Sequence, residues 1–179
     1  MTRIPVHTVE SAPEASRDSL TSLAARFGKV LNIHGAMAHS PLVLDAYVGL
    51  QHSIGEHGTF DGKTREAIAL VVAAVDECTY CQAAHTAGGK AEGLTVQDTI
   101  DARRGTSSDP KLQSLLTVVR EQISDVGNVS DGSWQGALDA GWSDGQLAES
   151  TVHVALNVLT NFFNHTVQTE LDLPAAPAL

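Results

Sequence analysis

The sequence predicts a single all-α domain. Apolar residues recur at intervals of three and four along most of the chain, and no segment shows the strict alternation of a strand. Of the 179 residues, 42% are hydrophobic and 18% are charged, which is enough apolar material for one sizeable core. We expect one globular domain over residues 13–173, between an N-terminal arm (1–12) and a Pro/Ala-rich C-terminal tail (174–179).

The charge balance excludes several classes of partner. Lys and Arg number 11 against 21 Asp and Glu, so the formal net charge is -10, which repels phosphate backbones and anionic lipid headgroups. No run of about 18 apolar residues is present, and the N-terminus lacks the apolar run of about 7 to 15 residues of a secretory signal. We therefore expect a cytoplasmic protein that binds neither nucleic acid nor membranes.

Prolines and glycines define the elements of the N-terminal third. Pro13 and Pro41 suit the first turn of a helix, where their missing N–H is not needed, and Gly28 suits a helix end. The predicted segments are helices over 13–27, 31–39 and 41–50, followed by a loop over 55–62.

The central segment is the most apolar. Residues 64–75 would place Ala, Val, Ile or Leu on nearly every face of a helix. This composition predicts a helix buried on most sides at the centre of the core. A second helix is expected over 78–90, closed by two glycines at 88 and 89.

Capping signals define the C-terminal half. Thr95 with Asp98 and Ser143 with Gln146 have the spacing of capping boxes, in which two side chains satisfy the first free N–H groups of a helix. The helices predicted here cover 95–103, 110–123, 134–140 and 147–167.

The two cysteines and one histidine form the strongest chemical pattern. Cys78 and Cys81 are too close in sequence to staple distant segments, and in a cytoplasmic protein such a pair indicates redox, catalytic or metal-binding chemistry. On a helix, Cys78, Cys81 and His85 share one stripe, and His85 lies one turn from Cys81, so its imidazole could take the thiol proton. Asp76 is expected to cap this helix, which would put Cys78 in the first turn, where a thiolate is favoured.

Glu66 is the acid that could complete the pattern. On one unbroken helix it would lie about 28 Å from His85, so contact requires a bend near Asp76 and Glu77. A carboxylate in so apolar a segment needs a partner, because isolated burial of charge is costly. His85 is the expected partner, and the carboxylate would fix its tautomer.

Other interpretations of these residues remain open. Two thiolates, an imidazole and a carboxylate could bind zinc in a non-enzymatic or partner-binding oligomer, although three ligands on one helical stripe make tetrahedral closure awkward. Proton-transfer chemistry on a small carbonyl substrate, of a decarboxylase type, is a third possibility. Tyr80 points off the cysteine stripe and is expected to be a packing residue. The other histidines of the helical segments are each expected to be solvated or hydrogen-bonded in the core.

The spacing of these residues resembles a known family. Glu66, Cys78, Cys81 and His85 match the Glu-x11-Cys-x2-Cys-x3-His signature of the alkylhydroperoxidase D-like proteins in the carboxymuconolactone decarboxylase superfamily. The likeness covers most of residues 30–173, and it includes three further stretches: Asn32–Pro41, Asn157–His165 and Glu170–Asp172.

The resemblance implies a fold and an activity. The expected fold is an all-α, alkylhydroperoxidase D-like helical bundle that assembles into dimers, trimers or hexamers. The expected enzyme is an antioxidant peroxidase that reduces organic hydroperoxides or hydrogen peroxide, with no bound cofactor or metal. A lipoyl-bearing or thioredoxin-like protein is the expected reductant.

The resemblance also implies a role for each site residue. Cys81 would attack the peroxide, Cys78 would resolve the product into a disulfide, and Glu66 with His85 would relay protons. Position alone suggests the opposite order of the cysteines, since the first cysteine at a helix start is usually the more reactive. The best-known branch carries a histidine where this chain has Tyr80, whereas the lactone decarboxylases of the superfamily lack the dithiol.

Overall fold

The computed structural model describes residues 2–179, which form nine α-helices and no β-strand. The predicted all-α fold is therefore confirmed. In chain order the helices are α1 (Glu14–Phe27), α2 (Asn32–Met37), α3 (Pro41–His57), α4 (Gly62–Val75), α5 (Thr79–Ala91), α6 (Val96–Arg103), α7 (Pro110–Ser124), α8 (Asp131–Asp139) and α9 (Asp144–Val167).

The predicted end signals are present at most helix termini. Gly28 ends α1 in the left-handed conformation, with φ of 74°. Both capping boxes form: Thr95 with Asp98 at the start of α6, and Ser143 with Gln146 at the start of α9. These reciprocal side-chain bonds fix where each helix begins.

The loop predicted over 55–62 is wrong at both ends. α3 continues to His57 and α4 begins at Gly62, so only residues 58–61 lie outside the helices. Gly55 does not break α3, because a single glycine costs an exposed helix only about 1 kcal/mol relative to alanine. Gly88 and Gly89 likewise lie inside α5, which ends at Ala91.

Helix α4 is the centre of the molecule, as its composition predicts. Its residues from Ala67 to Ala73 are all buried, and it packs against α5, α6, α7 and α9. One core cluster joins α1, α2 and α3 to the start of α5, whereas a second joins α4 to α7 and the first half of α9. The cysteines belong to the first cluster, so the candidate site lies inside the core.

Both ends of the described chain contact the helices. The backbone N–H of Arg3 donates to the carbonyl of Val167 over 2.7 Å, and Arg103 donates to the carbonyl of Pro177 over 2.6 Å. The division into arm, domain and tail stays a prediction. None of the helices in residues 2–179 combines the length and the apolar character needed to cross a bilayer.

His34 is a buried histidine in α2. Its side chain is enclosed between the Phe27 ring, 5.1 Å away, and the Tyr47 hydroxyl, 3.4 Å from Nε2. The residue is 2% exposed, and burial lowers the pKa of His34 from its usual 6.5 to about 4. The native protein therefore holds this imidazole in its neutral form at neutral pH.

We expect His34 to make the protein acid-sensitive. Between pH 6.5 and 4 the unfolded chain binds a proton at His34 that the native state does not, so stability falls as the pH falls. Protonation of His34 should lower the unfolding free energy by about 3 kcal/mol in total over this range. His34→Gln should flatten the pH dependence of urea unfolding between pH 7 and 4, whereas His57→Gln, at the exposed end of α3, should not. Equal slopes for the wild type and His34→Gln would contradict this account.

Candidate active site

The site is built on the corner between α4 and α5. Glu77 adopts the left-handed conformation, with φ of 55°. The N–H of Glu77 donates to the carbonyl of Ala74 over 3.2 Å, and that of Cys78 donates to the carbonyl of Ala73 over 2.9 Å. This is the Schellman pattern of a helix end, with glutamate at the position that glycine usually occupies. The bend predicted near residues 76 and 77 is thus confirmed.

Cys78, and not Asp76, is the N-cap of α5. The predicted cap is wrong because Asp76 ends α4, and its carboxylate accepts a 2.8 Å hydrogen bond from the Asn161 amide. The Cys78 sulfur instead accepts the backbone N–H of Cys81 over 3.2 Å. Both sulfurs therefore lie at the positive end of the α5 dipole, which favours negative charge on a thiol.

The two sulfurs form a disulfide within the core. Cys78 and Cys81 are each 2% exposed, and their Cα atoms are 5.3 Å apart. From α9, the side-chain N–H of Asn164 donates to the sulfur of Cys81 over 3.2 Å and lies 3.9 Å from that of Cys78. The dithiol is thus held by its own helix on one side and by α9 on the other.

Glu66 and His85 meet across α4 and α5. Glu66 Oε2 lies 2.9 Å from His85 Nδ1, and the two side chains are 24% and 28% exposed, respectively. The carboxylate accepts the Nδ1–H hydrogen bond. In the neutral ring, Nε2 is then the nitrogen that can accept a proton. The corner makes this pairing possible by folding α5 back along α4. His85 lies one turn beyond Cys81 on α5.

Gly88 leaves the space that the Glu66 side chain fills. A β-carbon at position 88 would lie 2.8 to 2.9 Å from all three carboxyl atoms of Glu66. Any larger residue at this position would therefore displace the carboxylate from its place beside His85.

Tyr80 anchors the C-terminal segment and is buried, as expected for a packing residue. Its hydroxyl donates to Asp172 over 2.7 Å, and the same carboxylate accepts Lys29 Nζ over 2.9 Å. Burial, together with the bond to Asp172, raises the pKa of Tyr80 far above its ordinary value of 10. Burial alone would raise the pKa of Asp172, but the bonds from Lys29 and Tyr80 outweigh it and lower that pKa.

The contacts of Asn164 with the dithiol and of Asp172 with Tyr80 were not predicted from the sequence. Asn164 follows Cys78 by 86 residues, and Asp172 follows Tyr80 by 92, so no local spacing joins them. A signal for the first was nevertheless present: Asn157, Asn161 and Asn164 lie at helical spacing on α9, and all three are buried. Polar side chains along one buried face of a helix indicate partners across the core.

The described residues contain no preformed metal-binding cluster. Among residues 2–179, no three His, Cys, Asp or Glu side chains are arranged to hold a metal ion. Two of the remaining histidines are buried in hydrogen bonds, as predicted: His34 contacts Tyr47 and His153 contacts Glu149.

Comparisons with known proteins agree with this geometry. Residues 41–108, which contain Glu66, both cysteines and His85, match the Carboxymuconolactone decarboxylase family. The fold superposes with a TM-score of 0.85 on an uncharacterized peroxidase-related protein from Ralstonia eutropha, described as an alkylhydroperoxidase AhpD core. The chain therefore shares the all-α fold of that AhpD-core structure. That structure is 18% identical, and the match covers 96% of this chain and 92% of the other.

Two other solved structures share this fold. A peroxidase-related protein from a Silicibacter species is 17% identical with a TM-score of 0.78, and the match covers 94% of this chain and 91% of the other. The debrominase Bmp8, as a cysteine-to-alanine variant in complex with 2,3,4-tribromopyrrole, is 14% identical with a TM-score of 0.78. The Bmp8 match covers 96% of this chain and 92% of that one. At these identities the likeness is one of fold.

A curated relative matches part of this chain. "Uncharacterized protein 4 in cox locus" of Paracoccus denitrificans is 33% identical over 58 residues, which is 32% of this chain. The match spans about half of that protein, 52% of its length.

We expect Gly88→Ala to separate Glu66 from His85 without unfolding the protein. The carboxylate is the end of a flexible side chain and can move away, and alanine favours a helix interior over glycine by about 1 kcal/mol. The unfolding free energy should therefore change little. Nitrogen-15 NMR of the imidazole should show that His85 Nδ1 has lost its hydrogen-bond partner.

The matched control is Gly49→Ala on α3, where an added β-carbon meets nothing within 4 Å. It should leave the His85 resonances unchanged. Unchanged resonances in Gly88→Ala as well would show that position 88 does not set the contact between Glu66 and His85.

Proposed function

We propose that the protein is a thiol-dependent peroxidase that reduces an organic hydroperoxide or hydrogen peroxide with the Cys78 and Cys81 dithiol. The contact that carries this proposal is the 2.9 Å contact between Glu66 on α4 and His85 on α5. The start of α5 also holds both sulfurs. The AhpD-like fold and the peroxidase-related proteins of the same fold support it.

The chemistry requires only the dithiol, the peroxide and an external reductant. The Cys81 thiolate attacks the hydroxyl-bearing oxygen of the hydroperoxide, the S–O bond forms as the O–O bond breaks, and the departing alkoxide takes a proton to become an alcohol. The Cys78 thiolate then attacks the sulfenic acid of Cys81, a disulfide forms, and hydroxide leaves as water. An external dithiol reduces the disulfide and is itself oxidised.

Glu66 and His85 would move the protons in this cycle. His85 would accept the Cys81 thiol proton at Nε2 while Glu66 holds Nδ1–H, which fixes the ring and stabilises its charged form. The positively charged imidazole could then supply the proton that the departing alkoxide needs. The partial exposure of both side chains gives the pair access to solvent protons.

The reductant and the assembly are part of the proposal. A lipoyl-bearing or thioredoxin-like protein would restore the dithiol, because the buried disulfide needs a thiol donor that can attack it. We also propose that the chain acts as a homo-oligomer, as the resemblance to the alkylhydroperoxidase D-like proteins implies.

The proposed peroxidase activity is tested by counting the free thiols that remain after exposure to a hydroperoxide. Reduced protein mixed with excess cumene hydroperoxide should lose both free thiols. Cys78→Ser should consume one peroxide per chain, leave a sulfenic acid on Cys81 that dimedone labels, and stop turning over, whereas Cys81→Ser should be inert. Persistence of both thiols for an hour would contradict the proposal, and labelling of Cys78 in Cys81→Ser would reverse the order of the cysteines.

Metal analysis and a double cysteine variant separate the peroxidase from the two alternative functions. A zinc-binding oligomer predicts roughly one zinc per purified chain and a large loss of stability with a chelator. Proton transfer on a carbonyl substrate predicts an activity that survives the double variant Cys78→Ser, Cys81→Ser. The peroxidase predicts neither result.

The proton relay is tested by alkylation of the reduced protein with iodoacetamide at pH 7. Glu66→Gln and His85→Ala should each slow the labelling of Cys81 by about tenfold, because the free thiol ionises mainly above pH 8. The double variant should be little slower than either single variant, since members of a relay act as a unit. Glu56→Gln, at an exposed position on α3, is the matched control. Losses that multiply in the double variant would show that the two residues act separately.

A further inference from the structure

Asn164 differs from the other buried asparagines of α9. The Asn157 amide donates to the carbonyl of His153 on its own helix, and the Asn161 amide donates to the carboxylate of Asp76. The Asn164 amide donates to the sulfur of Cys81. It is the one of the three that contacts a group with redox chemistry.

The neighbours of Asn164 fix its position over the dithiol. Three residues earlier, Asn161 holds the Asp76 carboxylate over 2.8 Å, and one residue later, the His165 ring nitrogen Nε2 holds the Asp76 backbone carbonyl over 2.8 Å. These two bonds tie α9 to the corner that carries Cys78. The amide between them is therefore held in place before any reaction begins, as electrostatic catalysis requires.

The donor side of the amide gains strength when Cys81 ionises. An N–H bond to a neutral disulfide sulfur is weak, whereas the same bond to a thiolate is charge-assisted, and burial strengthens it further. The contact favours Cys81, at 3.2 Å, over Cys78, at 3.9 Å. Asn164 therefore stabilises the charged form of the sulfur that the proposed reaction uses.

The acceptor side of the amide is unused. Oδ1 of Asn164 is buried and has no hydrogen-bond partner among residues 2–179. A buried carbonyl oxygen without a partner is unfavourable, so this atom favours a ligand that brings an O–H group to it. It shares its amide carbon with the nitrogen that donates to Cys81, so a donor that binds Oδ1 would lie close to the reacting sulfur.

A hydroperoxide supplies a donor of this kind. The oxygen that the thiolate attacks carries a hydrogen, and it keeps that hydrogen when the S–O bond forms and the alkoxide leaves. The same O–H group is thus present in the substrate and in the sulfenic acid. An acceptor beside the sulfur can hold it throughout the step.

We infer that Asn164 is a catalytic residue that binds the two reacting partners, an inference that rests on the proposed peroxidase function. Its Nδ2–H stabilises the Cys81 thiolate, and its Oδ1 accepts the O–H of the hydroperoxide. The amide thereby aligns the attacked oxygen with the sulfur.

The test compares two variants in two reactions. Asn164→Asp keeps the size and the acceptor oxygen but loses the donor, whereas Asn164→Ala loses both. At pH 7, both variants should be alkylated by iodoacetamide at least tenfold more slowly than the wild type, with the midpoint of the pH profile moved upward. Above the alkylation midpoint measured for each protein, where its thiol is ionised, alkylation should become equal. Cumene hydroperoxide consumption should then recover in Asn164→Asp and stay at least tenfold slow in Asn164→Ala.

Asn157→Ala is the matched control, because it removes a buried amide of the same helix that contacts no sulfur. It should match the wild type in both reactions, and circular dichroism should show that all variants are folded. If a variant does not fold, NMR of the wild type suffices. The Asn164 side-chain N–H₂ resonances of the reduced protein should then titrate at the pH midpoint of Cys81 alkylation and shift on addition of a hydroperoxide to Cys81→Ser.

The outcomes separate this inference from the proposed function. Wild-type alkylation rates in both Asn164 variants, or amide resonances that do not titrate with Cys81, would overturn the donor role. Full recovery of hydroperoxide consumption by Asn164→Ala above its own alkylation midpoint would overturn the acceptor role. A wild type that consumes no hydroperoxide, with the alkylation pattern as expected, would overturn the peroxidase and the acceptor role and support the donor role.

Discussion

The corner between α4 and α5 is the constraint on which the rest of the site depends. A straight helix would keep Glu66 and His85 far apart, whereas the left-handed residue Glu77 folds α5 back along α4 and brings them to 2.9 Å. A left-handed glutamate costs about 1 to 2 kcal/mol. The two helix-end hydrogen bonds and the contacts of Asp76 with α9 offset that cost.

Cys78 has two structural roles at this corner. Its backbone N–H closes the end of α4, and its sulfur caps the start of α5. The dithiol is therefore part of the turn that creates the site, so the same few residues set both the fold and the chemistry. This dual role is also why the sequence analysis misplaced the cap: aspartate is a common N-cap residue, and here Asp76 is committed to α4 and α9.

The sequence predicted the features that depend on local signals and on the cost of burying charge. Proline, glycine and capping boxes located most helix ends, and the cost of burying a lone carboxylate was enough to pair Glu66 with His85. It did not predict the true end of α3, because Gly55 is a weak helix breaker that costs only about 1 kcal/mol relative to alanine. Nor did it predict the contacts of Asn164 and Asp172, which depend on how α9 and the C-terminal segment lie across the core, and no local rule encodes that arrangement.

The two halves of the site lie far apart in the sequence, so they are synthesised at different times. Residues 78 and 81 can be oxidised as soon as their own turn exists, because they lie only three positions apart in the sequence. Asn164 comes 86 residues after Cys78, and Asp172 comes 92 residues after Tyr80. During synthesis on the ribosome the dithiol therefore emerges well before the groups that enclose it, and it is exposed to cellular oxidants and thiols until α9 docks.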